Sequence, residues 1–330
     1  MRAFLVRHWF LFILAAAVAL TLIAPRVVGS LTDYLEPRPT IAVSMFLMAW
    51  TMPTRMLVQE LRAPYASAWA VVLSYGLVPL IAWLLGSIAP GDVRIGLILV
   101  ATAPCTLASA VLWTRMAGGN EAVALMTVMG TTFTSWFLTT AWLSALTGAE
   151  FSLDTSAMMQ DLVLSLIVPV IVGQLLRLIP ALAWVADHKK IALGVVSQCL
   201  VLAMVLKAGV SAGGKLQLAE GWDVPGIFLW SVVLAVALHL IALASGLFTS
   251  RWLGFDRGRQ IAVGFSASQK TLQVSLMLYE QYFKDRYPFA VMSLLFYHVG
   301  QLLLDTIIAK RLADRDRRAS PDEEIYDFHI

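Results

Sequence analysis

The sequence predicts an all-α polytopic membrane protein, with about ten transmembrane helices in two inverted five-helix repeats. Three observations predict it. First, apolar residues make up 59% of the chain and charged residues only 14%, with a mean hydropathy of +0.77. A soluble domain is about 45–50% apolar and about 25% charged, so lipid is the solvent for most of this chain. Second, apolar residues run on without a break over stretches such as 228–248. A helix needs about 20 of them to cross the hydrocarbon core, and lipid offers the backbone no hydrogen bonds, so such runs must be helical. Third, polar residues break into the fourth span of each half, a pattern of transporters built from inverted repeats.

The spans are expected in this order. The first, 9–27, follows Arg2 and Arg7; its apolar stretch exceeds the about 7–15 residues of a signal-peptide core, so it reads as a retained helix. Spans at 40–60, 66–88, 95–116 and 122–146 complete the first repeat, residues 1–148. A linker covers 149–157. Spans at 160–179, 191–210, 225–249, 260–281 and 288–309 make the second repeat, 158–309, and 310–330 is a charged tail. Proline and glycine mark the joints, at Pro37 and Pro39, Pro64, Pro90-Gly91, Gly118-Gly119 and Gly213-Gly214. With the N-terminus inside, 16 of the 24 lysines and arginines fall on the inside and 7 on the outside, Lys270 lying within a span. That bias places both termini in the cytoplasm, and a bacterial inner membrane is the expected location. An odd number of spans per half makes the second enter from the opposite side, as an inverted repeat does.

Two segments carry the functional expectation. Ala103 to Arg115 holds Pro104, Thr106, Ser109 and Thr114 at mid-span; Gly264 to Ser275 holds Ser266, Ser268, Gln269, Lys270, Thr271 and Gln273. Single hydroxyls in membrane helices often bond only their own preceding turn, but broken helices at matching positions of two halves point to a solute site. Lys270 is the sharpest residue. A charge at mid-bilayer costs about 2.5–3.5 kcal/mol on insertion scales, so it must face a polar interior. Its ammonium, with three donors, suits the place of a monovalent cation or a contact to an anion. A structural lysine bonded to helix ends is the plainer alternative. In the last span His298, Gln301 and Asp305 share a face by their 3- and 4-residue steps. Asp305 reads either as a counter-charge for Lys270 or as a cytoplasmic-end residue beside Lys310. His239 reads as structural, Lys207 as snorkelling from a span end, and Glu121 as the cap of the fifth helix.

Other function classes are disfavoured. The net charge of +3 comes from scattered loop residues, with no basic face, so no nucleic acid is expected. Cys105 and Cys199 sit in apolar spans and read as small buried side chains, not a metal pair. No metalloprotease, nucleophile-elbow, phosphate-loop or paired CxxC motif occurs, so no enzyme is expected. The expected partners are a small-molecule solute and the lipid bilayer.

Several stretches resemble a known family. Met45–Pro53 with Leu61–Pro64 is similar to the second helix of the bile acid:sodium symporter superfamily, and Ser74–Leu80 to its third. Ala103–Ala110 with Gly118–Ala122 resembles its first crossover helix and exit; Ser268–Leu272 resembles the second crossover in the SBF-like branch. The resemblance spans about residues 5–310. It implies panel and core domains and two crossing discontinuous helices, with solute bound at the crossing and transport by alternating access. In the sodium-coupled branch a Ser-Asn pair, an acidic residue and a Gln hold sodium. Here Ser109 and Gln269 match, but Ala110 takes the Asn position, Phe265 falls near the acidic one, Lys270 follows the Gln, and Ser74 stands where the third helix offers a Gln. The ion-site remnant is thus Ser74, Ser109, Gln269 and Lys270. Losing a carboxylate and gaining an ammonium repels sodium. No resident cofactor is expected, sodium coupling is disfavoured, and proton exchange stays open.

The expected function is therefore a secondary active transporter, a symporter by its family, of a small organic solute, anionic or amphipathic. The solute would bind at Thr106, Ser109, Ser266, Ser268, Gln269, Lys270 and His298, with Lys270 in place of the sodium site. The alternative is a membrane regulatory or interaction protein that keeps the fold without transport.

Overall fold

The computed structural model describes residues 13, 16–17, 19–21, 23–147, 153–216 and 224–319. These residues form helices, with no strand among them. In chain order the helices are α1 (Pro25–Thr32), α2 (Pro37–Trp50), α3 (Thr54–Glu60), α4 (Tyr65–Gly86), α5 (Gly91–Ala101), α6 (Ser109–Met116), α7 (Glu121–Thr147), α8 (Thr155–Leu176), α9 (Pro180–His188), α10 (Lys190–Leu216), α11 (Val224–Trp252), α12 (Arg257–Ser268), α13 (Leu272–Leu278) and α14 (Ala290–Ala319).

Six of these, α4, α7, α8, α10, α11 and α14, are long and apolar enough to cross a membrane. Three expected spans are instead pairs of shorter helices. Segment 40–60 breaks at Thr51–Pro53, since proline blocks the preceding residue from helical geometry; 95–116 and 260–281 break where the polar clusters lie. The expected span 9–27 and the linker 149–157 lie partly outside the described residues. The tail does not fray at Lys310; α14 continues to Ala319, and 320–330 lie outside the described residues.

Proline shapes the interior. Pro79 in α4 and Pro169 in α8 each lie just beyond a π-helical turn, Leu73–Leu77 and Val163–Ile167. In α4 the N–H of Val78 reaches back five residues to the Leu73 carbonyl. Pro79 has no N–H to continue the ladder, so the carbonyls of Ser74 and Tyr75 lose their partners within the helix. Each finds one elsewhere. Trp142 Nε1 of α7 donates to the Tyr75 carbonyl at 2.5 Å, and the Ser74 carbonyl belongs to the site below.

The helices pack in two sets. α10 packs on α1 and α2, and α8 packs on α2. In the other set α11 packs on α12 and α14, α14 on α5, and α4 on α5, α7 and α12. α13 touches both. Close approach in the second set rests on glycine: a Cβ on Gly96 of α5 would lie 2.3 Å from the Ala290 carbonyl oxygen, and one on Gly246 of α11 would lie 2.7 Å from Gly264 Cα.

Three smaller expectations change. Asn120, not Glu121, caps α7; its Oδ1 accepts from the N–H groups of Ala122 (3.0 Å) and Val123 (3.3 Å), while Glu121 pairs with Arg115. Cys105 is buried, but Cys199 is exposed on α10. Lys207 Nζ donates to the Thr32 carbonyl at 3.2 Å, fastening α10 to α1.

Candidate functional site

The two broken helices meet. α5 ends at Ala101 and α6 starts at Ser109; α12 ends at Ser268 and α13 starts at Leu272. Between them the chain is extended at Gln269 and Thr271, and the Thr271 N–H donates to the Pro104 carbonyl at 3.0 Å. Backbone freed from a helix at this depth needs other partners, and α14 supplies them. Tyr297 OH donates to the Ser268 carbonyl at 2.6 Å. The Gln301 amide accepts from the Lys270 N–H (3.0 Å) and donates to the Lys270 carbonyl (3.1 Å). Thr131 of α7 accepts from the Cys105 N–H at 3.1 Å.

Lys270 is 1% exposed. Its ammonium donates to the Ser74 carbonyl and the Ser74 hydroxyl, both at 2.8 Å, and to the Ala103 carbonyl at 3.1 Å. The Tyr75 ring lies beneath it, 5.4 Å from nitrogen to ring centre. All three donors of the ammonium are thus used. One acceptor is the carbonyl released by the π turn and Pro79. Another lies just past the C-terminus of α5, where the helix dipole favours a cation.

Asp305 is fully buried and pairs neither with Lys270 nor with Lys310. His239 Nε2 lies 2.8 Å from one carboxylate oxygen, and the Gln269 amide donates to the other. Gln269 Oε1 accepts from the Ser109 hydroxyl at 2.7 Å. The sequence alone treated His239 as a lone structural residue; its partner was 66 positions away. His298 is buried, its Nδ1 2.9 Å from the Gln301 amide nitrogen.

Beside this crossing lies a cleft of about 170 Å³. Met45, Met48, Leu107, Leu112, Val201, Leu272 and Leu302 make it largely apolar; Thr106, Ser109, Trp113, Gln198, Thr271, Gln273 and His298 add polar atoms. Of the expected solute contacts, Thr106, Ser109 and His298 therefore line the cleft, while Ser266, Ser268, Gln269 and Lys270 do not. Ser266 and Ser268 are fully buried, and Ser268 Oγ bonds its own preceding turn at the Gly264 carbonyl, 3.1 Å away. Ser109 and Gln269 come together; Ser74 and Lys270 come together separately.

Two links tie α13 and the π-helical turn after it (Tyr279–Phe283) to the first helix set, one at the cleft wall and one beyond it. Gln273 Nε2 donates to Ser44 Oγ at 2.6 Å, which lies 2.6 Å from Ser197 Oγ. Arg38 grips Asp161 through Nε (2.8 Å) and Nη2 (2.9 Å), and Tyr282 OH donates to the same carboxylate at 2.6 Å. Sequence reasoning missed both, because their members stand more than 100 positions apart.

A model of the SBF-like CPA transporter family matches residues 8–314. The chain belongs to that family. The SBF-like family is one of membrane transporters, not of enzymes, and six apolar helices agree with an integral membrane protein. Among relatives, the sodium/bile acid cotransporter 7 of Danio rerio is 27% identical over 217 residues, 64% of this chain and 63% of its own length. That of Xenopus tropicalis is 25% identical over 253 residues, 73% of this chain and 67% of its own length. An uncharacterized protein of Pseudomonas aeruginosa is 29% identical over 230 residues, 68% of this chain and 67% of its own length. The matched stretch thus spans about two thirds of these relatives.

Proposed function

We propose that this SBF-like protein is a secondary transporter of a small organic solute, amphipathic or anionic, working by alternating access. On this reading the Lys270 ammonium takes the part of a coupling cation beside Ser74, one of the four remnant positions, while Ser109 and Gln269 join the Asp305 carboxylate instead. The observation that carries this reading is the enclosure of that ammonium by Ser74 and Ala103. Three oxygens at hydrogen-bond distance satisfy one fixed positive charge, so no ion from solution is needed there, and like-charge repulsion disfavours sodium alongside it.

The finer architecture follows the same reading. α1, α2, α8 and α10 act as the panel, and the second helix set as the core; with each broken pair counted as one span, ten spans form two inverted five-helix repeats. Both termini lie in the cytoplasm of a bacterial inner membrane. The cleft lies between panel and core, and the Gln273–Ser44–Ser197 and Arg38–Asp161–Tyr282 links close it from the outside. Alternating access is then movement of core against panel after these links part.

The test is uptake of small radiolabelled aromatic carboxylates and amides into vesicles reconstituted with the full chain, read against protein-free vesicles. The expected result is equal uptake in sodium and choline gradients and its loss in Lys270→Ala. Strict dependence on sodium overturns the ammonium-for-cation reading. A folded chain that neither moves nor binds any solute at the cleft favours a regulatory protein instead.

A further inference from the structure

Along the described helices the chain passes between the two helix sets three times. α1 and α2 lie in the first set, α3–α7 in the second, α8–α10 in the first and α11–α14 in the second. The placing of α3 rests on its packing against α7 and on the Ser67 hydroxyl of α4, which donates to Glu60 at its end at 3.4 Å. The passages at 148–154 and 217–223 lie wholly or partly outside the described residues. That at Thr51–Pro53 is three residues long and interrupts one expected span. So short a link absorbs a movement only in a few φ/ψ angles. Pro53 has no N–H to bond back into α2, so bending there sacrifices no main-chain bond from that residue.

The two sides of the break are held differently. On the α2 side, α8 grips tightly: a Cβ on Gly173 would lie 2.9 Å from both the Phe46 carbonyl oxygen and the Trp50 nitrogen. Arg177 Nη1 donates to the Trp50 carbonyl at 2.9 Å and is itself held by Asp187 at 2.9 Å. Gln174 Nε2 donates to the Ala49 carbonyl at 2.6 Å and to the Met52 carbonyl at 3.4 Å. These bonds serve carbonyls at a helix end and bind α2 to its own set. Across the break, Thr54 Oγ1 on the first residue of α3 donates to Oε1 of the same Gln174 at 3.0 Å. We infer that Thr51–Pro53 is a hinge between the two helix sets, and that Gln174 is its latch, holding α3 to the first set through Thr54. This rests on reading the two sets as parts that move past each other. α2 stays with α8 as the second set turns, α3 leaves with α7, and the Thr54–Gln174 bond parts.

The test places nitroxide pairs on the full chain carrying Cys199→Ser, reconstituted into vesicles, and reads distances by double electron–electron resonance. Leu61→Cys with Ile191→Cys spans the hinge, whereas Val43→Cys with Ile191→Cys keeps both labels on the first set; all three positions are exposed. Asp161→Asn, which cuts the Arg38–Asp161–Tyr282 link, is expected to add a second distance to the Leu61–Ile191 pair and none to the Val43–Ile191 pair. Thr54→Val keeps shape and removes the hydroxyl, and is expected to raise the ratio of second to first distance about three- to tenfold. Thr51→Val is the control, since that hydroxyl donates to the Met48 carbonyl in its own turn at 2.9 Å; the ratio is expected to stay as it was. A second distance in both pairs means that α2 moves with α3, which overturns the hinge and keeps the moving sets. A second distance confined to the Leu61–Ile191 pair but untouched by Thr54→Val overturns the latch. One distance throughout, in Asp161→Asn as well, overturns the hinge and the moving sets together.

Discussion

At the scale of single residues, Lys270 and Pro79 form one device. That an ammonium lies buried near mid-span was legible in the sequence, because a charge there has no bland company. Its partners were not legible, because two of its three acceptors are main-chain carbonyls. The signal that could have found one is Pro79, which deprives the preceding turn of a donor. An unusual prediction follows from this geometry. Proline inside a helix is normally a liability, yet Pro79→Ala is expected to lower thermal stability and transport. The restored N–H competes for the carbonyls that now serve Lys270 and Trp142. A melting temperature unchanged or raised in that variant would show that the released carbonyls do not matter. Lys270→Ala leaves the Ser74 and Ala103 oxygens without their cation. We expect sodium, absent any effect on the wild-type protein, to raise the melting temperature of this variant, read by titrating sodium against choline chloride.

At the scale of elements, most of the helices were legible from apolar length alone: all six long ones start within five residues of their expected spans, though α14 runs ten residues past its expected end. The breaks at 102–108 and 269–271 followed from hydroxyls, proline and lysine where lipid would exclude them. What the pattern could not show is how closely helices approach, since that depends on which glycines face a neighbour. Gly246 of α11 and Gly264 of α12 face each other, and a Cβ at either meets backbone or Leu247 inside 3 Å. Gly246→Ala is therefore expected to destabilise by about 1–3 kcal/mol through overpacking. Gly194, with nothing within 4 Å of an added Cβ, is the control; Gly194→Ala should melt at or above the wild-type temperature.

At the scale of the whole molecule, the first helix set meets α13 and the turn after it along a seam that is polar at two points, one at the cleft wall and one beyond it. Sequence separation hid that seam, since Arg38, Asp161 and Tyr282 come from three elements and each alone reads as a surface residue. If the seam is the outer closure, an Ala108→Cys chain with Cys199→Ser should react with a membrane-impermeant maleimide only from the cytoplasmic side. Adding Asp161→Asn should admit the reagent from outside as well, and unaltered sidedness would remove the closure role.

The tethered ammonium has an electrical consequence. A sodium ion is borrowed from solution and can be released on the far side, whereas a side-chain charge stays with the chain. Moving one elementary charge through the field is worth about 2.3 kcal/mol per 100 mV. On the proposed reading, a cycle that returns Lys270 to its starting point exchanges no net work with the field through that charge, although any step that moves the ammonium across part of the field still responds to voltage.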